Sequence, residues 1–228
     1  MVTNRWGSVL LGLATNVVTL LGVLVWGWPA ANVFLLFLGE NLILGLVTLI
    51  RMLSLPRPSI GLAAFFCLHY GVFSLIQGIF VAQLIGGLNP VFDFWWLGLP
   101  MIMIGIRYAI ELITVWFLGG GRATGLSPQQ VMMSPYPRVI VLHFAVLMAL
   151  FGGGSNPMFS PIIRGIGGLL NSFGLDLGPG GNLVLLLVLI KTVVDVKTTR
   201  SQLERESRPQ QEITLPPAPK VNYPARSN

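Results

Sequence analysis

A chain of 228 residues has room for one soluble domain or two small ones, but 54% of it is hydrophobic and 10% charged, with mean hydropathy +0.76. Soluble domains carry about 25% charged residues, so this chain has too little charge to cover a globule in water, and its main solvent is lipid. The formal net charge of +6 falls on no folded basic stripe of the kind that follows a phosphate backbone, which argues against a nucleic-acid partner. A lone cysteine, Cys67, in an apolar run leaves no internal disulfide and no thiolate metal site.

Six segments have the length and apolarity to cross a bilayer, for which roughly 20 residues at ~1.5 Å each are needed. They are 8–26, 31–52, 60–84, 94–118, 137–154 and 182–196, the last two being the shortest. The first exceeds the apolar core of a signal peptide and is followed by no small-x-small cleavage site, so it reads as a retained helix. Between spans five and six, 152–181 is rich in glycine and proline. Its middle repeats Ile162, Ile163, Ile166, Leu169, Leu170 and Phe173 at helical spacing with Arg164 and Asn171 among them. That pattern predicts an interfacial helix. After span six the chain turns polar and then proline-rich (Pro216, Pro217, Pro219). Residues 1–197 are thus expected to form the transmembrane domain, and 198–228 a cytosolic tail, helical at first and then largely disordered.

Lysine and arginine set the orientation, because they are retained on the cytosolic side during insertion. With the amino terminus inside, the inner segments hold Arg5, Arg51, Arg57, Arg122, Arg138, Lys197, Arg200, Arg205, Arg208, Lys220 and Arg226, and the outer loops hold Arg164. Eleven against one predicts an N-in, C-in protein of the cell (inner) membrane. Trp6 and Trp116 would fall at the inner boundary and Trp26, Trp28, Trp95 and Trp96 at the outer one, where indole favours the headgroups. No internal repeat is visible, which weakens the case for a carrier built from inverted repeats.

Polar residues within spans are the informative ones, since each must be satisfied inside the bundle or in a watery cavity. Span two has Glu40 and Asn41, span three His69 and Gln77, span four Arg107 and Glu111, span five His143, and span six Lys191 and Asp195; span one has no ionisable side chain in its apolar run. Counting at ~1.5 Å per residue from the inner helix ends puts Glu40, His69 and Arg107 about 15 Å deep. Glu111, His143, Lys191 and Asp195 then form a second layer in the inner third. Arg107 with Glu111, and Lys191 with Asp195, stand at i,i+4 and read as structural pairs. Glu40 has no partner on its own helix, so it needs protonation, a bond to Asn41 or backbone, or an interhelical partner in Arg107 or His69.

The convergence of acids and histidines suits a proton relay, a metal site or a polar ligand cavity, with cofactor and metal left open. His69, His143 and Gln77 each have a plainer reading as hydrogen-bonded packing residues, as does the stripe Phe66, Tyr70, Phe73 and Phe80. Ser155 in the GGGSN turn is separated from both histidines by depth, which argues against a hydrolytic nucleophile.

The runs LLFLGENLILGLVTLIRML (35–53), FFCLHYGVFSLIQGIF (65–80), PYPRVIVLHF (135–144) and LLLVLIKTVVDVK (185–197) resemble a family of prokaryotic multi-pass membrane proteins of unknown function. Its recurrent features fall here on Glu40 and Asn41, His69, Arg138 and His143, and Lys191 and Asp195. Gln77 stands where the family places a second histidine, which departs from any two-histidine metal site on that helix. The resemblance supports these residues as ligand or proton-relay candidates and implies no activity.

The expected architecture is therefore an all-α, six-span integral membrane bundle with a polar cluster in its cytosolic half. The first functional reading is a small transport or ion/ligand-binding membrane protein. The alternatives are an accessory or assembly subunit, with the tail as a protein-binding segment, and a membrane-embedded, metal-assisted enzyme. An open cavity at the cluster would favour carrier or enzyme, whereas a sealed cluster, or His143 turned away from span six, would favour the accessory subunit.

Overall fold

The computed structural model describes residues 3–86, 90–123, 125–152, 160–172, 174 and 178–207, and all regular structure among them is helical. Eight helices follow in order: α1 (Thr3–Leu24), α2 (Ala30–Leu53), α3 (Ile60–Gly86), α4 (Phe94–Phe117), α5 (Pro128–Met133), α6 (Tyr136–Gly152), α7 (Ser160–Ser172) and α8 (Gly178–Ser207). Three of them, over Ala30–Leu53, Ile60–Gln83 and Phe94–Phe117, are long and apolar enough to cross a membrane. Many large apolar side chains point outward, among them Leu68 and Leu75 of α3.

Local chemistry explains the breaks. α1 ends in a turn at Gly27, whose φ of 62° is a left-handed conformation that glycine adopts without strain. α4 opens on Asp93, whose carboxylate accepts from Trp95 N, and closes on wide i→i−5 turns over Leu112–Phe117. The short α5, which the hydropathy pattern did not suggest, starts at a reciprocal Ser127–Gln130 capping box. α7 forms where an interfacial helix was expected and packs against α8. α8 continues well past residue 197, to Ser207, so the helical start of the tail belongs to the same helix as span six. Ser155 and residues 208–228 lie outside the described residues.

In the bundle, α8 packs against α1 and α6, while α2 packs against α3 and α4. The buried face of α8 (Val184, Leu187, Val188, Lys191, Asp195) follows i,i+3/i+4 spacing, and that of α2 (Phe34, Phe37, Glu40, Asn41, Leu44, Thr48, Arg51) does the same. Each of these stripes begins apolar and turns polar partway along. Two apolar clusters, one around Phe34, Phe37 and Val188 and one around Met52, Phe66 and Trp116, lie on either side of the polar zone. Trp28 and Trp116 are buried; Trp116 Nε1 donates to Ser54 Oγ at 2.7 Å. Their rings fill space between helices.

Candidate functional site

The polar zone is organised around one chain of five charges contributed by four helices. Arg107 Nη1 of α4 lies 3.6 Å from Glu40 Oε1 of α2. Glu40 Oε2 is 3.0 Å from Lys191 Nζ of α8, which is 2.7 Å from Asp195 Oδ2 one turn further on. Asp195 Oδ1 then meets Arg138 Nε of α6 at 3.2 Å. The order is cation, anion, cation, anion, cation, and all five are buried, at 2–6% exposure. Pairs so far from water hold only when both members are present and further hydrogen bonds satisfy them.

Neutral groups supply such bonds to Glu40, Lys191, Asp195 and Arg138, while Arg107 Nε and Nη1 are buried with no hydrogen-bond partner among the described residues. Asn16 of α1 donates from Nδ2 to Asp195 Oδ2 (3.0 Å) and accepts from Lys191 Nζ at Oδ1 (2.9 Å). Tyr108 OH donates to Glu40 Oε1 (3.0 Å) and accepts from Arg138 Nη1 (3.2 Å). Arg138 Nε also donates to Thr198 Oγ1. The rings of Tyr108 and Phe37 lie 5.0 Å and 5.6 Å from the cationic groups of Arg107 and Lys191, within the range of cation–π attraction. Gly12 of α1 faces Arg107 so closely that a Cβ there would lie 2.7 Å from Nη2. Its missing side chain lets α1 reach the guanidinium.

A void of about 10 Å³ touches Glu40, Asn41, Tyr108, Arg138, Lys191 and Asp195. That is about the space that one water molecule needs. It leaves no room for a polyatomic ligand.

The expected residues are therefore partly brought together and partly separated. Glu40 does find Arg107 across helices. Arg107 and Glu111, although at i,i+4, are not partners of one another: Glu111 Oε1 takes Arg51 Nη2 of α2 at 3.1 Å, because α2 runs along α4 and offers each of the two a closer partner. The two expected depth layers merge, since Lys191 bonds Glu40 as well as Asp195. Asn41 serves structure: its Nδ2 donates to Gln77 Oε1 (3.0 Å) and Ser74 Oγ (3.3 Å), and its Oδ1 accepts from Tyr70 OH (2.7 Å). These bonds fasten α2 to α3.

Both histidines stand apart. His69 Nδ1 shares a 2.9 Å hydrogen bond with Tyr136 OH, and its ring lies between Phe65 and Phe73. His143 bonds Val139 O of its own helix and meets the edge of Phe73. The nearest titratable partners of Lys191 and Asp195 are Glu40 and Arg138, in place of the expected His143. Among the described residues, no group of three His, Cys, Asp or Glu could hold a metal ion.

Sequence reading missed Asn16, Gly12, Tyr108 and the burial of Arg138 and Arg51. Asn16 carries a usable signal, a lone amide near the middle of an apolar segment. Arg138 and Arg51 were counted as boundary cations, although each turns inward to a carboxylate.

The sequence model of a family of unknown function, DUF6498, matches residues 2–212. The chain belongs to that family. This agrees with the resemblance to a family without an assigned activity. No curated protein and no solved structure matches it.

Proposed function

We propose that the chain is a six-span integral membrane protein with both termini in the cytosol, acting as an accessory or assembly subunit of a complex in the cell membrane. The observation that carries this reading is the closure of the charge chain: its ionised groups are turned toward one another around a void of about 10 Å³. An ionic network of this kind locks helix positions and orientations, which suits a scaffold, and closure reverses the order of the readings given by sequence. The excess of lysine and arginine in alternate segments supports the topology, with α1, α6 and α8 as the spans beyond the three long apolar helices.

A second observation supports a partner. A furrow of about 620 Å³ runs between α2 and α3 on the outside of the bundle, with Gly45, Gly71, Ser74 and Gly78 among its lining residues. Small residues let another transmembrane helix approach closely. The tail offers a further contact on the cytosolic side.

The ion-handling reading is kept for one reason: the water-sized void touches both carboxylates and Lys191. Native gel electrophoresis of the tagged protein from its own membranes, with ion flux into proteoliposomes of the purified chain, separates the two. An accessory subunit migrates in a larger complex, loses it on Gly71→Leu, and gives silent liposomes. Migration as a free chain together with ion flux abolished by Lys191→Met would overturn the accessory reading in favour of the other.

A further inference from the structure

Beside the charge chain, a further cavity of about 490 Å³ opens where α5, the start of α6 and the far part of α8 meet, with Thr198, the acceptor for Arg138 Nε, in its lining. Its polar lining includes Gln129, Gln130, Ser134, Lys197 and Ser201. Among the described side chains no carboxylate lines it and none pairs with Lys197; Asp195, Glu40 and Glu111 are engaged elsewhere. Its described charged group is Lys197, and much of the wall around that cation is apolar.

The faces on which it stands change character along the helices. On α8, Val193 and Ile190 lie four and seven residues from Lys197, and on α6, Ile140 and Phe144 lie three and seven from Pro137, which lines the cavity. These spacings keep each set on one helix face. All four are exposed, Phe144 at 64% and Val193 and Ile140 at 53% each. Seven residues span about 10 Å, and α6 packs against α8. A cationic, hydrogen-bonding recess therefore continues directly into an exposed apolar strip on the same two helices. That gradient, from charge to hydroxyl and amide to hydrocarbon, is the gradient of a phospholipid.

We propose that this recess holds the headgroup of an anionic phospholipid, with Lys197 facing the phosphate, serine and glutamine side chains donating to its oxygens, and an acyl chain lying along Ile140, Phe144, Val193 and Ile190. An anionic lipid is favoured over a zwitterionic one because the charged side chain described in the lining is a cation, Lys197. The inference rests on the membrane topology proposed above, which places this end of α8 at the cytosolic leaflet, where anionic lipid attracts basic side chains.

The test uses the full chain purified in detergent, with phosphatidylglycerol, phosphatidylcholine or inorganic phosphate added, read by melting temperature and by lipid retained in native mass spectrometry. Phosphatidylglycerol should raise the melting temperature and stay bound, whereas phosphatidylcholine and inorganic phosphate should do neither. Lys197→Ala should reduce retention about fivefold, the change expected for losing one lysine at an anionic surface. Lys197→Arg should keep it, and Arg122→Ala, in a separate exposed segment, should leave it unchanged. Equal retention of the two lipids, no effect of Lys197→Ala, or an equal shift with inorganic phosphate would each overturn the proposal. Recovery of the protein from the soluble fraction of cells would instead overturn the membrane topology on which it rests.

Discussion

Lys191 of α8 meets Glu40 of α2 across 151 positions of sequence, and the contact joins two ion pairs that would otherwise be separate. Without it, Arg107–Glu40 and Asp195–Arg138 are each complete; with it, three cations share two carboxylates. The middle of the chain is thus the place where charge is in excess. That asymmetry ranks substitutions in a way that burial alone does not, since all five residues are buried to a similar degree.

Glu40→Gln and Asp195→Asn should be the most damaging changes, since each leaves three cations to share one carboxylate. Breaking a buried pair by removing one partner costs about 3–5 kcal/mol. Lys191→Met should be milder, because it leaves two matched pairs and a side chain of similar length. Exposed Gln83→Ala serves as the reference. Melting temperatures in one detergent give the order, and a Lys191→Met loss as large as that of Glu40→Gln would refute the chain as drawn.

Gly12→Ala tests the approach of α1 to Arg107. The new methyl would lie 2.7 Å from Nη2, and the guanidinium has little freedom to retreat while it stays with Glu40. Crowding of this kind costs about 1–3 kcal/mol. Gly71→Ala is the contrast: nothing lies within 4 Å of its added Cβ, so it should be neutral or gain about 0.5–1 kcal/mol from helix propensity. Combining Gly12→Ala with Arg107→Met should recover part of the Gly12→Ala loss, and strict additivity of the two changes would contradict the contact.

Much of this was legible in the residues, and the reason differs from place to place. The buried stripes of α2 and α8 follow from period, so the inward aim of Glu40, Lys191 and Asp195 could be read from spacing. Glu40 lacked a partner on its own helix, which left protonation, a bond to Asn41 or backbone, or a partner from another helix, and the structure supplies the last. The identity of partners was not legible, because it depends on which helices are neighbours and how each is rotated. Arg107 chooses Glu40 over Glu111 only because α2 also brings Arg51 to Glu111. His69 shared the depth of Glu40 but is directed toward Tyr136 on another face. Depth is one coordinate of three.

Topology predicts a labelling pattern. In a Cys67→Ser background, a cysteine at Ser172 should react with an impermeant maleimide on intact cells, and one at Ser201 should react only after the membrane is opened. The expectation comes from the eleven-to-one distribution of lysine and arginine. Reaction of both in intact cells, or the reverse pattern, would refute N-in, C-in.

Asn16 gives the sharpest test of how the network is satisfied, because its amide both donates to Asp195 and accepts from Lys191. Asn16→Leu removes both bonds and should cost about 1–3 kcal/mol, the penalty for leaving buried polar atoms short of partners. Asn16→Asp keeps the shape and supplies a third carboxylate for the three cations, so counting charge alone would make it harmless. Local geometry argues the opposite: the atom that replaces Nδ2 would be an oxygen 3.0 Å from Asp195 Oδ2, where two anions repel. Near pH 7 the Asp change should therefore be the worse of the two. Melting curves of the two variants at pH 8 decide it: an Asn16→Asp protein as stable as the parent would show that net charge governs the network, with the direction of each hydrogen bond secondary.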